Sequence, residues 1–270
     1  MSTETHPAPS ADRAAERAAL VAAAHRRGVR ATAEYAVGAT WVIGLWFWVI
    51  ALLIGGIILF VMQRAGDVEI TAVGGPAESA PYFLLVMGIV MPLAMIALHV
   101  AAGGTRRSFL HGLVVSGVVI GATFGLAAAA VAWVTWWAAD RYGWPTEPEI
   151  DRLYTDGSQL GLVFLVQSVF CAVYFLVGAV VALGYYRAGF WRGTGVALLS
   201  LVPLAVAELT LQSGWFGRAL ASAVGLPVLP VWGAALGGLA AVALAALLLR
   251  AVLRDVAIRP VEFARSVTTG

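Results

Sequence analysis

Few side chains in this 270-residue chain could do chemistry. Of its four histidines, His6 and His25 precede the first apolar run, while His99 and His111 flank a short polar link. A haem held between helices would want histidines facing each other at membrane depth, and these two sit at a loop instead. The single cysteine, Cys171, lies inside an apolar run, so there is no disulfide framework. No HExxH, paired CxxC or carboxylate–histidine cluster offers a metal site. A phosphate loop of the form GxxxxGK[ST] is excluded because the chain contains no Lys. The expectation is a protein that is not an enzyme and holds no cofactor or metal of its own.

Two polar groups and one glycine ridge stand out within the apolar runs. Glu208, in SLVPLAVAELTLQSG, is an ionisable group inside a run, and such groups face a bundle interior or water. It lies about one turn from the end of its run, where Gln212 is placed to hydrogen-bond it; a snorkelling structural carboxylate and a substrate contact are equally compatible with that position. Gln167 and Ser168 form the second polar pair at depth, and both could simply bond neighbouring helices. Glu208, Gln212, Gln167 and Ser168 are thus the candidates for a translocation path. Gly117, Gly121 and Gly125 form a GxxxGxxxG ridge that lets another helix approach closely, without saying which one.

The elements that must position these residues follow from composition. The chain is 61% hydrophobic and 12% charged, against about 45–50% and about 25% in soluble domains. A bilayer core of about 30 Å takes roughly 20 helical residues. Six runs qualify: near 38–62, 81–102, 112–138, 159–185, 194–212 and 230–253. Helices are expected because open strands leave backbone groups unsatisfied in lipid, and no run alternates as a barrel strand does. A cleavable signal peptide is not expected, since the first run starts late and is too long for one.

Arginine bias sets the orientation. Arg13, Arg17, Arg26, Arg27, Arg30, Arg106, Arg107, Arg187, Arg192, Arg250, Arg254, Arg259 and Arg265 fall on one side of a six-span layout, thirteen of the 17 basic residues. Arg64, Arg141, Arg152 and Arg218 fall on the other, outnumbered by Asp67, Glu69, Glu78, Asp140, Glu147, Glu149, Asp151 and Asp156. Both termini are then cytoplasmic. Trp136, Trp137, Trp144 and Trp215 gather at the expected outer interface. Arginines dispersed along membrane flanks speak against nucleic acid despite a pI of about 8.9.

Residues 1–10 read as disordered, and from Ala11 an Ala-rich amphipathic helix is expected to lie on the inner leaflet before the first span. The segment 213–229 is too apolar for an exposed loop and too interrupted to span, so a re-entrant or interfacial outer helix is expected there, with Pro227 and Pro230 turning the chain into the last span. The resulting division is 1–36 tail and interfacial helix, 37–253 six-helix transmembrane domain and 254–270 cytoplasmic tail.

The stretch GGTRRSFLHG, residues 103–112, places two adjacent arginines between long uncharged runs. With the layout above, it resembles the membrane subunit of an ATP-binding-cassette exporter of the ABC-2 permease type. The likeness covers nearly the whole chain by layout but only about ten residues by motif. It implies that Gly104, Thr105, Arg106, Arg107, Ser108, Phe109 and Leu110 form a short coupling helix. Its arginines would meet an ATPase while Phe109 and Leu110 pack beneath. It further implies two ATPase subunits that carry ATP and Mg, a second permease copy, identical or related, and a bacterial-type inner membrane. Positive-inside flanking explains arginines here equally well. A scaffold or sensor subunit, or a six-span secondary transporter with buried midplane charges, are the other readings. The substrate is not legible, since apolar walls suit lipids, hydrophobic peptides and amphiphilic drugs alike.

Overall fold

The computed structural model describes residues 11–65, 71–144, 153–225 and 227–254. The expected disordered residues 1–10 and the tail beyond Arg254 lie outside them. So do the segments carrying Asp67, Glu69, Glu147, Glu149, Asp151 and Arg152, and the side chains of Trp215 and Arg218. Among the described residues the fold is all helix: α1 Ala11–Ala65, α2 Thr71–Ala101, α3 Arg106–Tyr142, α4 Leu160–Leu199, α5 Leu201–Leu211, α6 Trp215–Val224 and α7 Val231–Leu253.

Five helical runs are long and apolar enough to cross a membrane: Ala15–Ala65, Pro76–Ala101, Arg106–Tyr142, Leu160–Leu211 and Val231–Leu253. The fourth covers the two spans expected at 159–185 and 194–212, and it is not one rod. Gly189 inside it has φ 71 and ψ −170, a conformation open to glycine and closed to side chains with a Cβ. Tyr185 Oη lies 3.1 Å from Thr194 Oγ1. Tyr174 Oη donates to Glu208 Oε1 at 2.7 Å, whereas 34 residues of unbroken helix would hold those positions about 50 Å apart. The chain therefore doubles back at Gly189. The returning arm breaks once more at Ser200, because Pro203 has no N–H to give the preceding turn.

α1 differs from the expected flat helix followed by a span. It runs without a break for 55 residues, about 80 Å, so the boundary expected at residue 36 falls inside it. Thr32 and Ala36 are already buried in the bundle, while Leu20 and Val21 are exposed. No glycine with positive φ or proline stands between residues 25 and 40 to turn the chain, and Ala-rich sequence favours continuation.

Glycines set how closely the helices approach. A Cβ on Gly121 would lie 2.6 Å from the Ser168 carbonyl oxygen, one on Gly117 would press on Leu176, and one on Gly125 would overlap Ser168. The partner of the glycine ridge is therefore α4. A second crossing, of α2 with α4, puts Gly88 against the Phe175 carbonyl and Gly178 against that of Leu85. Phe175, Leu176, Val177, Ala179 and Val180 are buried, so the middle of α4 is the centre of the core. α1 keeps Val42, Leu45, Trp46, Val49 and Leu53 exposed on its outer face. Such a face is stable only in an apolar solvent, as a bilayer supplies.

Candidate functional site

Two polar assemblies sit at opposite ends of the bundle. At one end, which we call the arginine end, α2 finishes with Gly103 at φ 81, and the Gly103 and Gly104 amides donate back to the Val100 and His99 carbonyls at 2.9 Å each. Gly103 supplies the left-handed residue that closes a helix. Gly104 has a different reason: a Cβ there would overlap the His99 ring. Thr105 then caps α3 in a reciprocal box with Ser108, whose amide donates to Thr105 Oγ1 at 3.1 Å.

His99 joins three helices at this point. Its Nε2 lies 3.0 Å from Ser108 Oγ on α3, and its Nδ1 3.1 Å from Thr32 Oγ1 on α1. Ser108 donates its one hydroxyl proton to the Thr105 carbonyl at 2.8 Å. In its neutral form His99 donates to one of these two hydroxyls and accepts from the other, the direction being set by its tautomer. Gly28 and Gly112 leave room for the arrangement, since a Cβ on Gly28 would meet Ser108 and one on Gly112 would meet Thr32. His25 Nε2 and His111 Nδ1 make a further α1–α3 contact at 3.1 Å.

The seven residues assigned to a coupling helix take different positions from those expected. Only Ala102–Thr105 separates α2 from α3, and Arg106 and Arg107 form the first turn of α3 itself. There is no separate short helix, because the Thr105 cap starts the long one directly. Both arginines are exposed, whereas Ser108, Phe109 and Leu110 are buried beneath them. A cation at a helix N-terminus opposes the helix dipole by about 0.3–1 kcal/mol, so the pair does not serve α3. Arg106 Nη1 reaches the Arg254 carbonyl at 3.5 Å, and Arg187 Nη1 donates to the Ala251 and Val252 carbonyls at 3.0 and 3.2 Å. Two arginines thus gather at the C-terminus of α7, where positive charge is favourable.

At the other end, the α6 end, Glu208 is 6% exposed, so it does not snorkel. Its Oε1 accepts from Tyr174 Oη and its Oε2 from the Gly217 amide of α6, each at 2.7 Å. Gly217 must be glycine because α6 lies directly on the Glu208 backbone. The Gln212 side chain does not bond the Glu208 carboxylate, although its backbone amide donates to the Glu208 carbonyl. Gln212 adopts φ 47, ends α5, and sends Nε2 to the Pro227 carbonyl at 2.8 Å. The reason is geometric: a left-handed residue ends the helical register that would have stacked Gln212 over Glu208. Gln167 is buried next to this assembly and lines a cavity with Tyr174, whereas Ser168 faces Gly125 of α3. The four polar candidates are therefore split, with Glu208 and Gln212 holding the α5–α6 corner, Gln167 at the cavity and Ser168 in a helix crossing.

Tyr174 is the residue that sequence reasoning missed. An isolated tyrosine in an apolar run gives no signal, and only the reversal at Gly189 brings it to Glu208. Among the described residues, no group of three or more His, Cys, Asp or Glu side chains could hold a metal ion. No known protein family, no curated protein and no solved structure matches this chain.

Proposed function

We propose that this chain is the membrane-spanning permease subunit of an ATP-binding-cassette exporter of the ABC-2 type. It exports a hydrophobic or amphiphilic substrate and is driven by separate ATPase subunits. The observation that carries this reading is the ten-residue helix α6 between the last two spans, tied back to α5 through the buried Glu208. A helix of about 15 Å is too short to cross, and an element of this kind before the last span belongs to the layout the sequence resembles. Counting the arms on either side of Gly189 separately gives six crossings, which returns both termini to one side. The arginine bias makes that side cytoplasmic. α6 then lies at the outer face as a re-entrant element.

In this reading Arg107 and the first turn of α3 are the docking element for the ATPase. Ser108, buried beneath that turn, carries its displacement into α2 and α1 through His99. ATP and Mg act in the partner subunits, which accounts for a permease without a phosphate loop. Two permease copies enclose the path, and the apolar face of α1 meets lipid or the second copy. The mechanism is alternating access: closure of the ATPase pair moves the α3 termini and reshapes the path towards α6.

Purification of the tagged chain from its own membranes, with and without non-hydrolysable nucleotide, tests the reading. A copurifying ATPase whose turnover rises when the permease is present is the expected result. A chain that purifies alone, or with partners lacking a nucleotide-binding loop, overturns it.

A further inference from the structure

At the arginine end, α1 meets α3 through two separate polar contacts. Thr32 reaches Ser108 by way of His99 of α2. About two turns earlier on α1, His25 Nε2 lies 3.1 Å from His111 Nδ1, the rings edge to face with centroids 5.1 Å apart and planes at 89°. Every described α1 side chain before Ala23 is exposed. Among the described residues, His25 is the first on α1 to hydrogen-bond another helix, so it is where α1 is first fastened to the bundle. The charged groups that act on His111 are His25 of α1, Arg107 one turn back on α3 and Arg250 of α7, and all are basic. α2 contributes His99, already bonded to Thr32 and Ser108. On α1 itself the sequence neighbours of His25 are Arg26 and Arg27, both exposed. These surroundings oppose a bound metal dication, so the ligand that the two imidazoles gain and lose is a proton.

We propose that His25 and His111 form a pH-sensitive clasp, closed while at least one imidazole is neutral and open once both carry a proton. A bond between imidazoles takes one N–H and one lone pair. The neutral pair has both, and the singly protonated pair keeps both in a charge-assisted bond. Two imidazolium rings have no lone pair between them and set two positive charges at 3.1 Å. The first proton and the arginines resist the second, so opening falls below the ordinary histidine value of about 6.5. The closed clasp therefore contributes stability at neutral pH that is lost as pH falls below that value. The His99 junction behaves differently, because the Thr32 and Ser108 oxygens can both accept from an imidazolium. Acid thus frees α1 ahead of Gly28 and leaves it held from Thr32 onwards. The clasp stands on these residues and does not depend on the transport reading.

The test uses the full chain in detergent and reads the distance between two nitroxides by double electron–electron resonance. They are placed on Val21→Cys of α1 and Trp191→Cys beside the Gly189 reversal, both exposed positions, while Cys171 is buried and stays unlabelled. Between about pH 8 and about pH 5 the labelled parent is expected to pass from one narrow distance to a broad spread, with a midpoint below about 6.5. His25→Gln and His111→Gln each leave one imidazole facing an amide that offers both a donor and an acceptor. Both should stay narrow down to about pH 5. His111→Ala removes the partner and should be broad already at about pH 8. General loosening by acid, or titration of His99, would broaden the glutamine variants along with the parent. That result, a parent that stays narrow throughout, or a His111→Ala distribution as narrow as the parent's at about pH 8 would each overturn the clasp.

Discussion

Tyr174 and Glu208, 34 residues apart in sequence, share a 2.7 Å hydrogen bond that spans the chain reversal at Gly189. The same carboxylate takes the Gly217 amide, so one buried group fastens α4, α5 and α6 together. Tyr174→Phe leaves Glu208 buried with one donor fewer, at a cost of about 1–3 kcal/mol. Adding Glu208→Leu to it should cost less than the sum of the two single changes, because no orphaned charge remains. Thermal unfolding of the four proteins in detergent checks this, and strict additivity would show that the bond contributes nothing.

Backbone contact between α2 and α4 makes a sharper stability prediction. Gly88→Ala and Gly178→Ala each push a methyl into a carbonyl of the facing helix and should cost about 1–3 kcal/mol. Gly56, which has open space around its Cβ position, should tolerate alanine with no more than the gain in helix propensity. Equal midpoints for all three variants would contradict the close crossing.

Topology is testable with single cysteines. Cys171 is buried, so the chain's own thiol should stay silent. Ser108 is 1% exposed and makes a poor reporter, whereas Arg107 and Thr155 are exposed at opposite ends. A membrane-impermeant maleimide applied outside cells should label Thr155→Cys and spare Arg107→Cys. The reverse pattern would invert the bundle.

The two arginines should separate. Arg106 reaches the end of α7, and so does Arg187, so reversing either one disturbs that helix end as well as any docking surface. Arg107→Glu changes only the exposed first turn of α3, and should lower ATPase association about tenfold or more while leaving the thermal midpoint near the parent value. Arg26→Glu, exposed on α1, removes equal positive-inside charge and serves as the control. Equal loss in both would reduce Arg107 to a lipid anchor.

The helices were legible because membrane spans are written in length and apolarity alone. Four of the six apolar runs fall within one helix each, to within a residue, the runs near 159–185 and 194–212 share the stretch Leu160–Leu211, and a short helix occupies 215–224. The glycine ridge on α3 was visible as a packing signal, but its partner α4 was not, since small residues say how close a neighbour comes and not which neighbour. The fate of Glu208 was hidden for a related reason. Gln212 is the natural partner on a continuing helix, and only its left-handed conformation hands the carboxylate to Tyr174 and Gly217. The arginine stretch showed its charge, but neither its cap nor that α3 begins at Arg106 without a separate helix. That depends on Thr105 and Ser108 closing their box around His99.

Photo-crosslinking from position 107 in native membranes tests the central claim most directly. With Arg107 replaced by a photoreactive residue, the account predicts an adduct with a protein that carries a GxxxxGK[ST] loop, and no such adduct from the same residue placed at Ser222, exposed on α6. Adducts with lipid alone at position 107, or the ATPase captured from position 222 instead, would contradict it.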